Sequence, residues 1–105
     1  MAPVTDEAIK TLGKFLNLVT EAGYQIQRAV LFGSYASGKA DRWSDMDVAL
    51  VSPDFTGIPF NDRKALIPFL LKTDTRIEVH PFKPEEFSRD NLFVVEILDT
   101  GVNLI

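Results

Sequence analysis

The apolar positions of this chain change rhythm several times, and each change marks an element. Between residues 5 and 22, Ile9, Leu12, Leu16 and Val19 recur at helical spacing, with Phe15 and Leu18 widening the stripe. Thr5 suits the N-cap, and Asp6 and Glu7 fall in the first turn, where the helix dipole favours acids. Gly23 ends this helix. Residues 25–32 begin alternating and finish as the unbroken run Ala29-Val30-Leu31-Phe32, the pattern of a central strand. Residues 33–44 read as turn and loop, with room for one short helical turn after Gly33. A second strand is expected over 45–52, closed by Ser52-Pro53, and 53–60 is rich in turn formers.

Asn61 caps an expected helix over 61–72. Pro68 inside it is a local conflict, because proline lacks the N–H that the helix needs and crowds the preceding turn. Residues 75–82 form a third strand in which Ile77 and Val79 share one face and Arg76, Glu78 and His80 the other. A loop or short turn over 84–90 leads to a helix over 91–99, ended by Gly101, and a last short strand over 102–105. The order helix, strand, strand, helix, strand, helix, strand predicts an α/β (α+β) class, with one small mixed sheet of about four strands flanked by helices. Repeats, linkers and low-complexity segments are absent.

Composition narrows the function classes. The 105 residues suit a single domain over 1–105, and 46% hydrophobic with 25% charged residues is ordinary for a globular chain. Without cysteine there is neither a disulfide nor a thiolate zinc site, which fits a reducing cytoplasm. No apolar run reaches the roughly 20 residues of a membrane helix, and the start lacks the basic region of a signal peptide. The net charge of −4 argues against extended binding of nucleic-acid backbone. An acidic protein that handles an anionic nucleotide needs a divalent cation to reverse the local field.

The candidate chemistry lies where the first two strands meet. Gly33-Ser34 follows the first apolar run, and after ten residues Asp45-Met46-Asp47 opens the next, Val48-Ala49-Leu50-Val51. Two carboxylates two residues apart on a strand point to one side with Cα atoms about 6.6 Å apart, so they can converge on hard cations. A Gly-Ser turn offers backbone N–H groups and a hydroxyl to phosphate oxygens. The segment Gly33-x4-Gly38-Lys39 also approaches a P-loop. Ala40 lacks the hydroxyl that would hold Mg²⁺, and the next strand follows too soon for the long helix a P-loop requires.

The pattern Gly-Ser-x10-Asp-x-Asp resembles the nucleotidyltransferase superfamily that includes DNA polymerase beta, and at this length the chain is similar to its minimal nucleotidyltransferase (MNT) branch. The resemblance implies a polymerase-beta-like fold and transfer of a nucleoside monophosphate from a triphosphate, with ATP the expected substrate. It also implies two Mg²⁺ ions held by Asp45, Asp47 and a third acid from a neighbouring strand. Glu78 is the candidate for that acid and for the general base, although the family usually has Asp there; Asp74, in the turn before the strand, is the fallback. Paired with Arg76 or His80, Glu78 is instead a surface residue. Gly33 is assigned to close backbone approach and Ser34 to a triphosphate oxygen. Gly38 supplies a positive φ or plain turn punctuation.

Lys39 and Arg42 either touch phosphates or are solvated loop charges. Ser44 serves either the nucleotide or the Asp45 backbone. Tyr35 and Trp43 face a base or sugar, or pack locally. His80 is either a group behind the metals or a structural residue at a strand end. Many MNT proteins are antitoxins of HEPN-type ribonuclease toxins. The resemblance therefore implies a hetero-oligomer in which AMP is added to a tyrosine of the toxin. Two alternatives stand beside this. One is a binding module that masks its partner, with catalysis secondary or lost, drawing on helix faces or on the Phe-rich stretches around Phe60, Phe69, Phe82, Phe87 and Phe93. The other is transfer to a small molecule, for which the extra helical domain of such enzymes is missing.

Overall fold

The computed structural model describes residues 6–40 and 44–105; the expected cap Thr5 and the loop residues Arg42 and Trp43 lie outside the described residues. Helix α1, Asp6–Glu21, buries Ala8, Leu12, Phe15, Leu16 and Val19 along one stripe. Ile9, expected on that stripe, is exposed, and Ala8 takes its place one position earlier. Each fully buried Leu, Phe or Val contributes about 1.5–3 kcal/mol relative to leaving it in water.

The sheet contains β1 (Arg28–Phe32), β2 (Met46–Val51), β3 (Ile77–Phe82) and β4 (Val102–Asn103), in the order β3-β2-β1-β4. The pairs β1–β2 and β1–β4 are antiparallel, whereas β2–β3 is parallel. A parallel pair needs a long crossover, and α3 (Pro59–Lys72) provides it. The first strand starts later than its sequence pattern suggested, because the Gln25 N–H donates to Asp54 Oδ2 instead of joining the ladder.

The two faces of the sheet have different covers. Ala29, Leu31, Val48, Leu50, Ile77 and Val79 pack with α1 and with Leu66 of α3 in the larger core. Val30, Phe32 and Ala49 pack on the other side with Ile97 of α4 (Leu92–Thr100). Ile97 and Val94 are buried. Strands buried on both faces read as continuous apolar runs, which explains Ala29–Phe32 and Val48–Val51. Among the described residues, no helix is long and apolar enough to cross a membrane.

Helix α3 departs from expectation at both of its marked residues. It begins at Pro59, which occupies the first turn where a missing N–H is harmless, so Asn61 is inside the helix and not its cap. The preceding turn is held by Asp62, whose buried carboxylate accepts from the Thr56 and Gly57 N–H groups and from the Thr56 hydroxyl. The helix runs on through Pro68. Pro68 and Lys64 both face solvent, so water can satisfy the Lys64 carbonyl that the proline leaves without its usual donor. Helix α4 starts with the Asn91 side chain accepting from Phe93 N–H, and it stops at Gly101. A Cβ at Gly101 would run into the Ile97 carbonyl and the Val30 side chain.

Candidate active site

Strand register builds the site. Phe32 of β1 lies opposite Asp47 of β2, and Asp47 lies beside Glu78 of β3, so the three form one row across the sheet. Residues in register project to the same face, and His80, two residues after Glu78, joins them. His80 Nε2 lies 3.1 Å from Asp47 Oδ1 and 3.4 Å from Glu78 Oε2. One ligand atom from each of Asp47, Glu78 and His80 falls within 4.8 Å of the others. The site sits on the α4 side of the sheet, beyond the end of the apolar cluster around Phe32 and Ile97. Side-chain exposures of 24% for Asp47, 48% for Glu78 and 22% for His80 leave all three reachable from solvent.

Gly33 closes the site from the end of β1. Its φ of 75° and ψ of −146° belong to a region that side chains rarely enter. A Cβ placed there would sit 2.6 Å from Asp47 Oδ2. The glycine therefore has two reasons to be a glycine, and the second is the Asp47 carboxylate itself. After it comes α2 (Ser34–Ser37), a single helical turn ended by Gly38 with φ 77°. Gly38 supplies the positive φ that was one of its two readings. Ser34 is exposed beside Gly33, and its carbonyl accepts from Lys39 N–H. Lys39 is exposed and Ser44 half-buried. Tyr35 packs in the larger core and offers no platform to a base.

The acids divide. Asp45 is exposed and precedes β2, which begins at Met46; it stands outside the group formed by Asp47, Glu78 and His80. Asp74 is drawn away by Arg76, which donates to it from its backbone N–H and from its guanidinium at 2.8 Å. The hydrogen bond from the Arg76 side chain holds the Asp74 carboxyl below the usual carboxylate range, against the opposing effect of burial. Arg76 is thus engaged with Asp74, and of the two surface partners considered for Glu78 the structure brings His80 near.

His80, either a group behind the metals or a structural strand-end residue on sequence grounds, comes to lie against the Asp47 and Glu78 carboxylates. Its ring lies 4.9 Å from Phe32 and 5.8 Å from Phe93, centroid to centroid. The period-2 pattern of β3 put it on the Glu78 face, but its approach to Asp47 depends on the β2–β3 register. On the opposite, α3 face of the sheet, α3 and the β3 edge enclose a groove of about 640 Å³ lined by Phe60, Arg63, Lys64, Ile67, Leu70, Ile77, Glu78 and Val79. Glu78 belongs to both the cluster and the groove.

Residues 12–102 match the family model of the nucleotidyltransferase domain. The chain belongs to that family. No curated protein matches it by sequence. Among solved structures, this nucleotidyltransferase domain is similar to a toxin–antitoxin crystallised with AMP-PNP, at TM-score 0.64 and 24% identity over 89% of this chain and 71% of the other. A protein of Sulfolobus solfataricus described as a nucleotidyltransferase gives TM-score 0.64 at 18% identity, over 90% and 77% of the two chains. A mutant of the toxin–antitoxin MntA–HpeT gives 0.62 at 22%, over 89% and 71%. These likenesses establish a shared fold. Two carboxylates and an imidazole nitrogen converging beside a Cβ-free turn are a donor set that suits a divalent cation.

Proposed function

We propose that this chain, as one nucleotidyltransferase domain over 1–105, transfers AMP from ATP to a hydroxyl of a partner protein. The partner is a HEPN-type ribonuclease toxin, the acceptor a tyrosine, the complex a cytoplasmic hetero-oligomer, and the role that of an antitoxin. The observation that carries this reading is the Asp47 carboxylate, whose Oδ2 lies 2.6 Å from where a Gly33 Cβ would be, in line with Glu78. It joins the Gly33-Ser34 turn to paired acids in one place. The AMP-PNP of a similar toxin–antitoxin supports an adenine nucleotide as the substrate.

In this reading the Gly33-Ser34 backbone and the Ser34 hydroxyl donate to triphosphate oxygens, and Lys39 and Arg42, the cations between the two halves of the motif, contribute positive charge toward the phosphates. Ser44 steadies the loop that carries Asp45. Asp45, Asp47 and Glu78 would hold Mg²⁺, two ions in all, which when bound neutralise phosphate charge and make the acceptor hydroxyl more acidic. Glu78 takes the acceptor proton. The acceptor oxygen bonds to the α-phosphorus, the bond to the bridging oxygen breaks, and pyrophosphate leaves. Bulk and negative charge added to the toxin would then obstruct its RNA site.

A masking role has its own support in exposed apolar side chains on the outer face of α3: Phe60 is 72% and Leu71 is 70% exposed. ATP labelled at the α- or the γ-phosphate, incubated with Mg²⁺, this protein and its partner, separates the two. Label passing from the α position to the partner, and lost in an Asp45→Asn/Asp47→Asn variant, supports transfer. A stable complex with no label from either position supports masking.

A further inference from the structure

We propose that His80 is itself a ligand of the cation held by Asp47 and Glu78, and that its nitrogen makes this site favour a first-row transition ion such as Mn²⁺ over Mg²⁺. The inference rests on the nucleotidyltransferase reading of the site and goes beyond it, since that reading needs only carboxylates.

Three features of the chain lead here. The first is spacing. An ion with bonds of about 2.1 Å holds adjacent ligand atoms about 3.0 Å apart in octahedral geometry and about 3.4 Å apart in tetrahedral geometry. His80 Nε2 is 3.1 Å from Asp47 Oδ1 and 3.4 Å from Glu78 Oε2, separations that match neighbouring positions around one ion, and all three ligand atoms lie within 4.8 Å of one another. The second is orientation. The rings of Phe32 and Phe93 pack against the imidazole at interplanar angles of 59° and 66°, and Nε2 is the atom turned toward both carboxylates. A ring positioned in this way loses little further freedom when it binds. The third is chemistry. Carboxylate and water suit Mg²⁺, whereas imidazole suits the transition ions, and Mn²⁺ accepts both donor types. A nitrogen donor therefore adds affinity for Mn²⁺ that it does not add for Mg²⁺. The Nε2 lone pair is available when the ring carries its single proton on Nδ1.

The sequence makes the test unusually direct, because the chain contains one histidine. The untagged full chain is loaded with Mn²⁺ and examined by electron spin-echo envelope modulation, with either natural or ¹⁵N-labelled histidine. The expected result is a nitrogen coupling of a directly bound imidazole that changes with the isotope. No substitution is required, so folding of a variant is not at issue. In parallel, competition titrations compare Mn²⁺ with Mg²⁺ in the wild type and in His80→Asn. The expected result is a fall of at least about tenfold in the preference for Mn²⁺.

Mn²⁺ bound with no nitrogen coupling would overturn the proposal, and so would a preference unchanged in His80→Asn. If Asp47→Asn still abolished Mn²⁺ binding in that case, the carboxylate site would stand and only the histidine ligand would fall. Isotope-sensitive coupling without label transfer from α-labelled ATP supports the ligand role while overturning the transfer reading.

Discussion

Replacing Gly33 by alanine tests the geometry on which the site depends. The residue sits at φ 75° and ψ −146°, a region essentially reserved for glycine, and an L side chain held there costs about 1–3 kcal/mol. The added methyl also meets Asp47 Oδ2 at 2.6 Å, well inside van der Waals contact. The carboxylate must then move by about 0.8 Å to reach an ordinary contact of about 3.4 Å. That shift disturbs the 3.1 Å contact with His80. The contact adds about 1 kcal/mol, for a total near 3 kcal/mol. For a domain of this size each kcal/mol lowers Tm by about 4–8 °C, so a fall of about 12–24 °C is expected. Urea unfolding of Gly33→Ala, Asp47→Ala and the double variant separates the two contributions. In the Asp47→Ala background the alanine should retain its backbone strain and lose the clash, giving a coupling energy of about 1 kcal/mol. Transfer of α-label by Gly33→Ala should fall more than its folded fraction explains. Destabilisation below about 0.5 kcal/mol, or strictly additive variants, would refute the reasoning, because Asp47 would then not be seated against this turn.

Three further outcomes can be checked. Asp47→Asn should abolish α-label transfer and change Tm by no more than about 4–8 °C, since it removes one of two neighbouring negative charges; a large loss of Tm would show that Asp47 is structural. Asp62→Ala frees three donors around residues 56–57 and should lower stability by about 2 kcal/mol in urea unfolding, whereas a loss under about 0.5 kcal/mol would contradict the buried anchor described for α3. Arg76 lowers the Asp74 pKa, so the wild type should exceed Asp74→Asn in stability above about pH 4 by no more than about 1 kcal/mol. The difference should shrink as the pH falls through the lowered value, because Asp74 then gains its proton in the folded state as well. A gap that persists at pH 2 would show that charge is not its origin.

Much of this arrangement was legible in the chain, because it follows from local rules. A helical stripe, a strand buried on two faces and a glycine at a positive φ each leave a signature within a few residues. The elements accordingly lie where periodicity put them, with ends displaced by a few positions. Gly33 and Asp47 were visible as halves of one spaced motif, and Glu78 as an acid alternating with Ile77 and Val79. The displaced ends have tertiary causes. Asp62 anchors the turn that starts α3 at Pro59, and Asp54 takes the Gln25 N–H away from the first strand.

What the tertiary structure alone decided is which of these groups meet. His80 is 33 residues from Asp47, and they touch because the α3 crossover returns β3 parallel to β2 in one register. A shift of that register by one residue would send Glu78 and His80 to the opposite face. Asp74, the fallback acid on sequence grounds, is engaged instead by Arg76 two residues later. The sequence by itself determined the elements and the kinds of chemistry present, since both are properties of short segments. The pairing of Asp47 with Glu78 and His80 needed the closed sheet, because strand register is settled by the whole core at once.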